Sequence, residues 1–70
     1  MLLDVERQAG RRFRYYFDAL LNAPYCQGVV YLARVIKRDP LLDAHDRLYL
    51  LRFADSCCFD MSGVHLDSFL

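Results

Sequence analysis

Residues 22–40 of the chain read Asn-Ala-Pro-Tyr-Cys-Gln-Gly-Val-Val-Tyr-Leu-Ala-Arg-Val-Ile-Lys-Arg-Asp-Pro. The two prolines, Pro24 and Pro40, each favour the end of a helix, because the residue before a proline is pushed out of the helical region of backbone space. Proline is also favoured in the first turn of a helix, so each can open the next one. The stretch therefore predicts an all-α domain, either a three-helix bundle or a helical hairpin plus a third helix.

The segment before Pro24 has the pattern of a helix over residues 3–22. Its apolar residues recur at steps of three and four, which is the spacing of a helix with one apolar face. They are Val5, Ala9, Phe13, Tyr16, Phe17 and Leu20. Arg7, Arg11, Arg14 and Asp18 follow the opposite side, so the sequence predicts an amphipathic helix with a charged outer face.

The segment between the prolines is predicted to be a second helix that ends near Arg38. Its β-branched run, residues 29–35, leaves a strand as the alternative. The chain has one such run, and a lone strand has nothing to pair with unless the protein dimerises. We therefore favour a helix.

A third helix is expected to begin at Asp39-Pro40, where the aspartate can cap it, and to continue to Ser62-Gly63. Its apolar residues form two rows around the axis. One row is Leu41, Ala44, Leu48 and Leu51; the other is Leu42, His45, Tyr49, Phe53 and Cys57. A helix that is apolar on two sides is either central to the fold or meets a second copy. We expect a homodimer formed through Leu42, His45, Tyr49 and Phe53.

Beyond Ser62-Gly63, residues 64–70 are expected to form a short terminal helix or turn. This segment would pack Phe69 and Leu70 back on the core.

Size and composition limit the class of protein. Seventy residues form one domain, residues 1–70, whose single core leaves only a few kcal/mol of net stability. An apolar content of 56% suggests that some apolar surface meets another chain, and permanent burial in a larger assembly stays open. No apolar stretch approaches the roughly 20 residues that cross a membrane. The N-terminus lacks the order of a secretory signal, so a soluble, cytoplasmic protein without a membrane partner is expected.

The three cysteines are Cys26, Cys57 and Cys58, an odd set with two members adjacent. Small secreted proteins instead carry even, spaced sets, so we expect reduced thiols. Adjacent cysteines on a helix point about 100° apart, which does not suit a zinc site. The chain also lacks a nucleophile elbow and a glycine-rich phosphate loop. We expect no catalytic residues, no metal, no cofactor and no small-molecule substrate.

The run Arg11-Arg12-Phe13-Arg14-Tyr15-Tyr16-Phe17 is the best candidate for a binding surface. Arginine and aromatic residues dominate binding hot spots, and they also contact phosphates and stack on bases. The expected contact residues are Arg11, Arg12, Arg14, Tyr15 and Tyr16. The favoured partner is a larger protein, which the chain would bind and block as small regulators and inhibitors do, including those of phages and other mobile elements.

Two other interpretations of this run stay open. It can be an ordinary amphipathic division in which Phe13, Tyr16 and Phe17 face the core. It can also be a nucleic-acid surface, with a dimer aligning two basic first helices along phosphates. The net charge of zero weighs against nucleic acid.

The charge is divided unevenly along the chain. Residues 1–38 carry seven Lys/Arg against three Asp/Glu, and residues 39–70 carry two against six. The halves can neutralise one another within the fold, pair across an antiparallel dimer, or engage two unlike partners.

Residues 31–54 resemble the passage from one tetratricopeptide repeat to the next, where a helix ends in Asp-Pro and another begins. Gly28, Leu32, Val35 and Pro40 stand near the small, large, small and proline positions of such a repeat. The likeness covers about a third of the chain. Upstream, Arg12 and Tyr16 depart from the bulky apolar and small residues of the pattern. The resemblance implies helical hairpins that bind proteins.

Overall fold

The computed structural model describes residues 4–70, with the side chains of Arg7 and of residues 9–70. Three α-helices follow one another: α1 (Asp4–Asn22), α2 (Cys26–Arg38) and α3 (Ala44–Ser62). A short 3-10 turn, Leu66–Ser68, comes last. Val5, assigned above to the apolar face of the first helix, lies outside the described side chains. No strand occurs in residues 4–70, so the all-α prediction is confirmed.

The second helix lies at the centre of the core. Val29, Val30, Ala33 and Ile36 are buried on α2 at helical spacing, so the β-branched run forms one packed face of a helix and the strand alternative is wrong. The other buried apolar residues come from all remaining elements. They are Tyr16, Leu20, Leu42, Leu50, Ala54, Cys58 and Leu66.

The junction between α2 and α3 differs from the prediction, because α3 begins at Ala44 and not at Asp39-Pro40. Asp39 instead caps the end of α2, and its side chain accepts a hydrogen bond from the Leu41 amide at 2.9 Å. This local bond shapes a turn and competes with helix initiation. Asp43 caps α3, accepting from the Asp46 amide at 2.7 Å.

The third helix buries neither of the two predicted rows completely. Its buried residues are Leu50, Ala54 and Cys58, which lie between the rows. Leu48 and Tyr49, one from each row, are about half exposed. Within the fold each row is only partly covered, because Leu51 of one row and Phe53 and Cys57 of the other pack against the core. Burial of the remainder by a second copy stays a prediction. Because apolar residues surround this helix, its own sequence does not decide which face α1 and α2 cover.

The segment after α3 packs on the core through Leu66, whereas Phe69 and Leu70 stay partly exposed. Gly63 ends α3 with a positive φ of 73°, a conformation that glycine adopts without steric cost. Asp55 then holds the segment, because its carboxylate accepts from the Leu66 amide at 2.7 Å. The predicted short terminal turn is present, but a different side chain anchors it.

Cys26 and Cys58 form a disulfide, so the expectation of reduced thiols is wrong for this pair. They are 32 residues apart in sequence, yet the antiparallel course of α2 and α3 brings their Cα atoms to 5.1 Å. Cys57 is the free cysteine of the set. Its pKa is raised, first by burial and then by the charge of Asp60.

No helix within residues 4–70 combines the length and the apolar character needed to cross a bilayer.

Candidate binding surface

A buried carboxylate, Asp39, joins the first helix to the turn before α3. Its side chain is 3% exposed, and one oxygen accepts from the Tyr16 hydroxyl at 2.5 Å and from Arg12 Nη1 at 3.0 Å. The other oxygen accepts from the Leu41 amide. From α3, Arg47 donates to the Asp39 carbonyl at 2.7 Å. The negative charge of Asp39 is thus satisfied inside the protein.

The pKa values of this cluster follow from those contacts. Burial by itself raises the pKa of Asp39, but the hydrogen bonds from Tyr16 and Leu41 and the charge of Arg12 outweigh it, so the pKa lies below its ordinary value. Burial, and then the bond to Asp39, raises the pKa of Tyr16. At neutral pH the pair is therefore a carboxylate and a neutral hydroxyl donor.

A groove of about 630 Å³ runs over this cluster between α1 and α2. An adjoining depression shares Arg12, Tyr16 and Leu41 with it and extends it along α1. Together they bring guanidinium groups and tyrosine rings from two helices to one surface. We call this surface the arginine groove and define it by Arg11, Arg12, Tyr15, Tyr31, Arg34 and Arg38.

Positive charge in the arginine groove is only partly compensated. Among the described residues that line it, Asp39 is the one carboxylate, and Arg12 already pairs with it. Arg34 and Arg38 lie one helical turn apart, a like-charge spacing that destabilises a helix by a few tenths of a kcal/mol. Arg11 and Arg38 have no hydrogen-bond or ion-pair partner in the part of the chain that the structure describes. An anionic ligand would relieve this repulsion.

Two tyrosines flank these arginines with their rings in solvent. Tyr15 is 66% exposed and Tyr31 is 68% exposed. The Tyr15 ring meets the buried Tyr16 ring edge-on, with 5.5 Å between centroids. Exposed aromatic rings beside guanidinium groups are typical of binding hot spots.

The structure brings together some of the predicted contact residues and separates others. Arg11, Arg12 and Tyr15 line the groove. Tyr16 is 4% exposed and belongs to the core, because its hydroxyl is needed by Asp39. Arg14 lies on the other side of α1, exposed, with its Nε 4.0 Å from Asp18. Arg14 is therefore not part of the surface that the other three form, and Tyr16 contributes only to the buried floor of the groove.

Half of the groove was not predicted. Tyr31, Arg34 and Arg38 recur on α2 at steps of three and four, which is the spacing of one helix face. That periodicity was available in the sequence. It is a weaker signal than the compact run on α1, which is far denser in arginine.

The four residues predicted to mediate self-association lie in different environments. Leu42 is 3% exposed and is therefore a core residue, which removes it from any contact surface. His45 is exposed. Tyr49 and Phe53 pack on α1, with centroid distances of 5.7 Å from Phe13 to Tyr49 and 4.8 Å from Phe17 to Phe53. We call Phe13, Phe17, Tyr49 and Phe53 the aromatic edge.

No protein-family model, curated protein or solved structure matches this chain. The likeness to a tetratricopeptide-repeat junction stays confined to residues 31–54, and there the turn after Asp39 separates α2 from α3. The function of the arginine groove must follow from its own chemistry.

Proposed function

We propose that this protein is a non-enzymatic binding module that holds an acidic segment of a larger protein in the arginine groove. By occupying that segment it acts as a small regulator or inhibitor. One observation carries the proposal: four guanidinium groups and two exposed tyrosine rings from two helices line one groove whose single described carboxylate is already satisfied.

Arginine suits this role because its planar fork can bind a carboxylate through two parallel hydrogen bonds. Arg11 and Arg38 are exposed and carry no internal partner in the described chain, so their donors are open to a ligand. Tyr15 and Tyr31 add apolar contact area at a low cost in side-chain entropy. The groove thereby combines charge recognition with aromatic anchoring.

A nucleic acid is the second candidate, and the exposed tyrosines favour it because bases stack on such rings. Against it stands the acidic surface of the same small domain. Asp43 and Asp60 are exposed on or beside α3, and the whole chain has zero net charge. A long polyanion would be repelled by that surface, whereas a short acidic segment would contact the groove alone.

The test is a fluorescence-anisotropy titration with three labelled probes: an acidic peptide of aspartate and glutamate, a single-stranded RNA and a random duplex DNA. Each is titrated at about 50 mM and about 200 mM salt, a range over which phosphate-driven binding falls steeply. We expect the peptide to bind at both salt concentrations and the nucleic acids to bind more weakly or not at all.

A pair of variants locates the binding. Arg11→Glu with Arg38→Glu reverses two exposed charges in the groove and is expected to weaken peptide binding at least about ten-fold, since each charge-assisted bond contributes about 1.5–3 kcal/mol. Lys37→Glu with Arg52→Glu makes the same charge change at exposed positions beside a different depression. Equal losses in both variants would mean that net charge, and not the groove, drives binding. Tight, salt-sensitive binding of RNA or DNA with no peptide binding would favour the second candidate.

We also propose that the protein self-associates through the aromatic edge together with His45. Tyr49 supports this because it is 52% exposed at the rim of an otherwise packed aromatic cluster.

A further inference from the structure

A smaller cavity adjoins the arginine groove on the side of the disulfide. It has a volume of about 270 Å³ between the first turns of α2 and the segment after α3. Tyr31 and Arg34 line both this cavity and the groove, so the two are continuous. We call it the anchor cavity, and its remaining lining residues are Cys26, Gln27, Val30 and Phe69.

The anchor cavity is apolar in character and of a size suited to one side chain. Its volume lies below the roughly 300–1,000 Å³ of pockets that enclose a whole small molecule. Two large rings at its margin, Tyr31 and Phe69, remain 68% and 38% exposed. Exposed aromatic surface beside a concavity favours the burial of an apolar group from a partner.

Arg34 forms the boundary between the cavity and the groove. Its Nη2 donates to the Phe69 carbonyl at 2.9 Å, which fixes the side chain against the segment after α3. A guanidinium has five N–H donors, so one such bond leaves others for a ligand. The same residue can therefore support an apolar neighbour on one side and bind a carboxylate on the other.

The geometry points to a specific partner chemistry, and this inference rests on the proposed function. We propose that the acidic segment carries one apolar side chain, of the size of leucine or phenylalanine, which fills the anchor cavity while flanking carboxylates bind Arg34 and Arg38. These arginines are separated by about 6 Å along the helix axis. Alternate residues of an extended peptide are separated by about 6.6 Å, so carboxylates at alternate positions match them.

The test compares two peptides on the intact protein. The first has a phenylalanine followed by glutamates at alternate positions, and the second has alanine in place of the phenylalanine. We expect the phenylalanine peptide to bind about ten-fold more tightly, as burial of an aromatic side chain predicts. In amide NMR spectra it should shift Gln27, Val30 and Phe69, whereas the alanine peptide should shift only residues around Arg34 and Arg38.

A cavity-filling variant provides a second measurement. Gln27 is exposed at the rim, so Gln27→Trp should close the cavity without disturbing the core. It should reduce the affinity for the phenylalanine peptide to that of the alanine peptide. Ser56→Trp, at an exposed position of α3, is the matched control and should change neither affinity.

The outcomes separate the inference from the proposed function. If the two peptides bind with equal affinity and the NMR shifts are confined to the groove, the anchor cavity does not bind an apolar side chain. The proposed binding of an acidic segment is then unaffected. Absence of binding by both peptides, even at low salt, overturns both. Displacement of the peptides by a single-stranded oligonucleotide at lower concentration assigns the groove to nucleic acid and also overturns the inference.

Discussion

Tyr16 shows how a residue that looks like a contact residue in the sequence can be required by the core. Its hydroxyl donates to a carboxylate that is almost completely buried. We expect Tyr16→Phe to lower the free energy of unfolding by about 1–3 kcal/mol, because the loss leaves the buried Asp39 carboxylate short of a hydrogen bond. Urea denaturation at neutral pH measures this. Tyr15→Phe is the matched control, since the Tyr15 ring is exposed, and it should leave stability unchanged.

The same substitution has a predictable pH dependence. The folded protein lowers the pKa of Asp39, so below its ordinary value of about 3.9 the unfolded chain binds more protons than the folded one. The stabilisation from Asp39 is thus complete above that pH and is lost as the pH falls through the folded pKa. Because Tyr16→Phe removes a bond that lowers this pKa, the stability difference between wild type and variant should shrink in acid. A difference that stays constant from neutral pH to about pH 2.5 would contradict this account of the Asp39 cluster.

The elements α2 and α3 are connected by the Cys26–Cys58 disulfide as well as by packing. The bond closes a loop with a sequence separation of 32, for which chain entropy predicts about 3–4 kcal/mol of stabilisation. We expect Cys26→Ala to lose about that amount in urea denaturation. Cys57→Ala, at the free and half-buried cysteine, should lose much less. If reduction with a thiol lowers wild-type stability no more than it lowers that of Cys26→Ala, the bond does not form in solution.

This disulfide also bears on the expected cytoplasmic location. Thiols are kept reduced in most cytoplasms, where the pair would be open and α2 and α3 would depend on packing alone. Urea denaturation of the reduced protein would therefore show whether a cytoplasmic form is well folded.

The two prolines made the division into helices predictable, but the sequence predicted less well which face of each helix is buried. Pro24 and Pro40 correctly separated three helices because their effect on the backbone is local. The role of Asp39 differs from the prediction because an aspartate before a proline can end one helix or begin another. Here its local bond to the Leu41 amide and its bonds to the distant Tyr16 and Arg12 accompany the end of α2. The Cys26–Cys58 pair likewise depends on how α2 and α3 cross.

The candidate site was half predictable for the same reason. The dense run on α1 predicted Arg11, Arg12 and Tyr15 as contact residues. Arg34 and Arg38 are farther apart in the sequence, and they join the same surface only because α1 and α2 pack together. A surface shared by two elements cannot be assembled from the composition of either one.

In the whole molecule, the uneven charge along the chain places positive and negative side chains on different parts of the surface. The arginine groove lies between α1 and α2, while Asp43, Asp60 and Asp67 are exposed along α3 and the segment after it. Arg12–Asp39 is an ion pair between the two halves, yet Arg11 and Arg38 keep unpaired charge in the described chain. Neutralisation within the fold is therefore incomplete around the groove, which is what the proposed acidic partner requires.

The arginine groove and the aromatic edge share no residue and lie on different sides of α1, so partner binding and self-association should be independent. We expect Tyr49→Arg to raise the dissociation constant of the proposed dimer at least about ten-fold, because it would place a charge in an apolar contact. Sedimentation equilibrium measures this, with Tyr25→Arg as the control at an exposed tyrosine before α2. The affinity for the acidic peptide should stay unchanged in both variants. Loss of peptide affinity together with dimer dissociation would instead show that a complete groove requires the second copy.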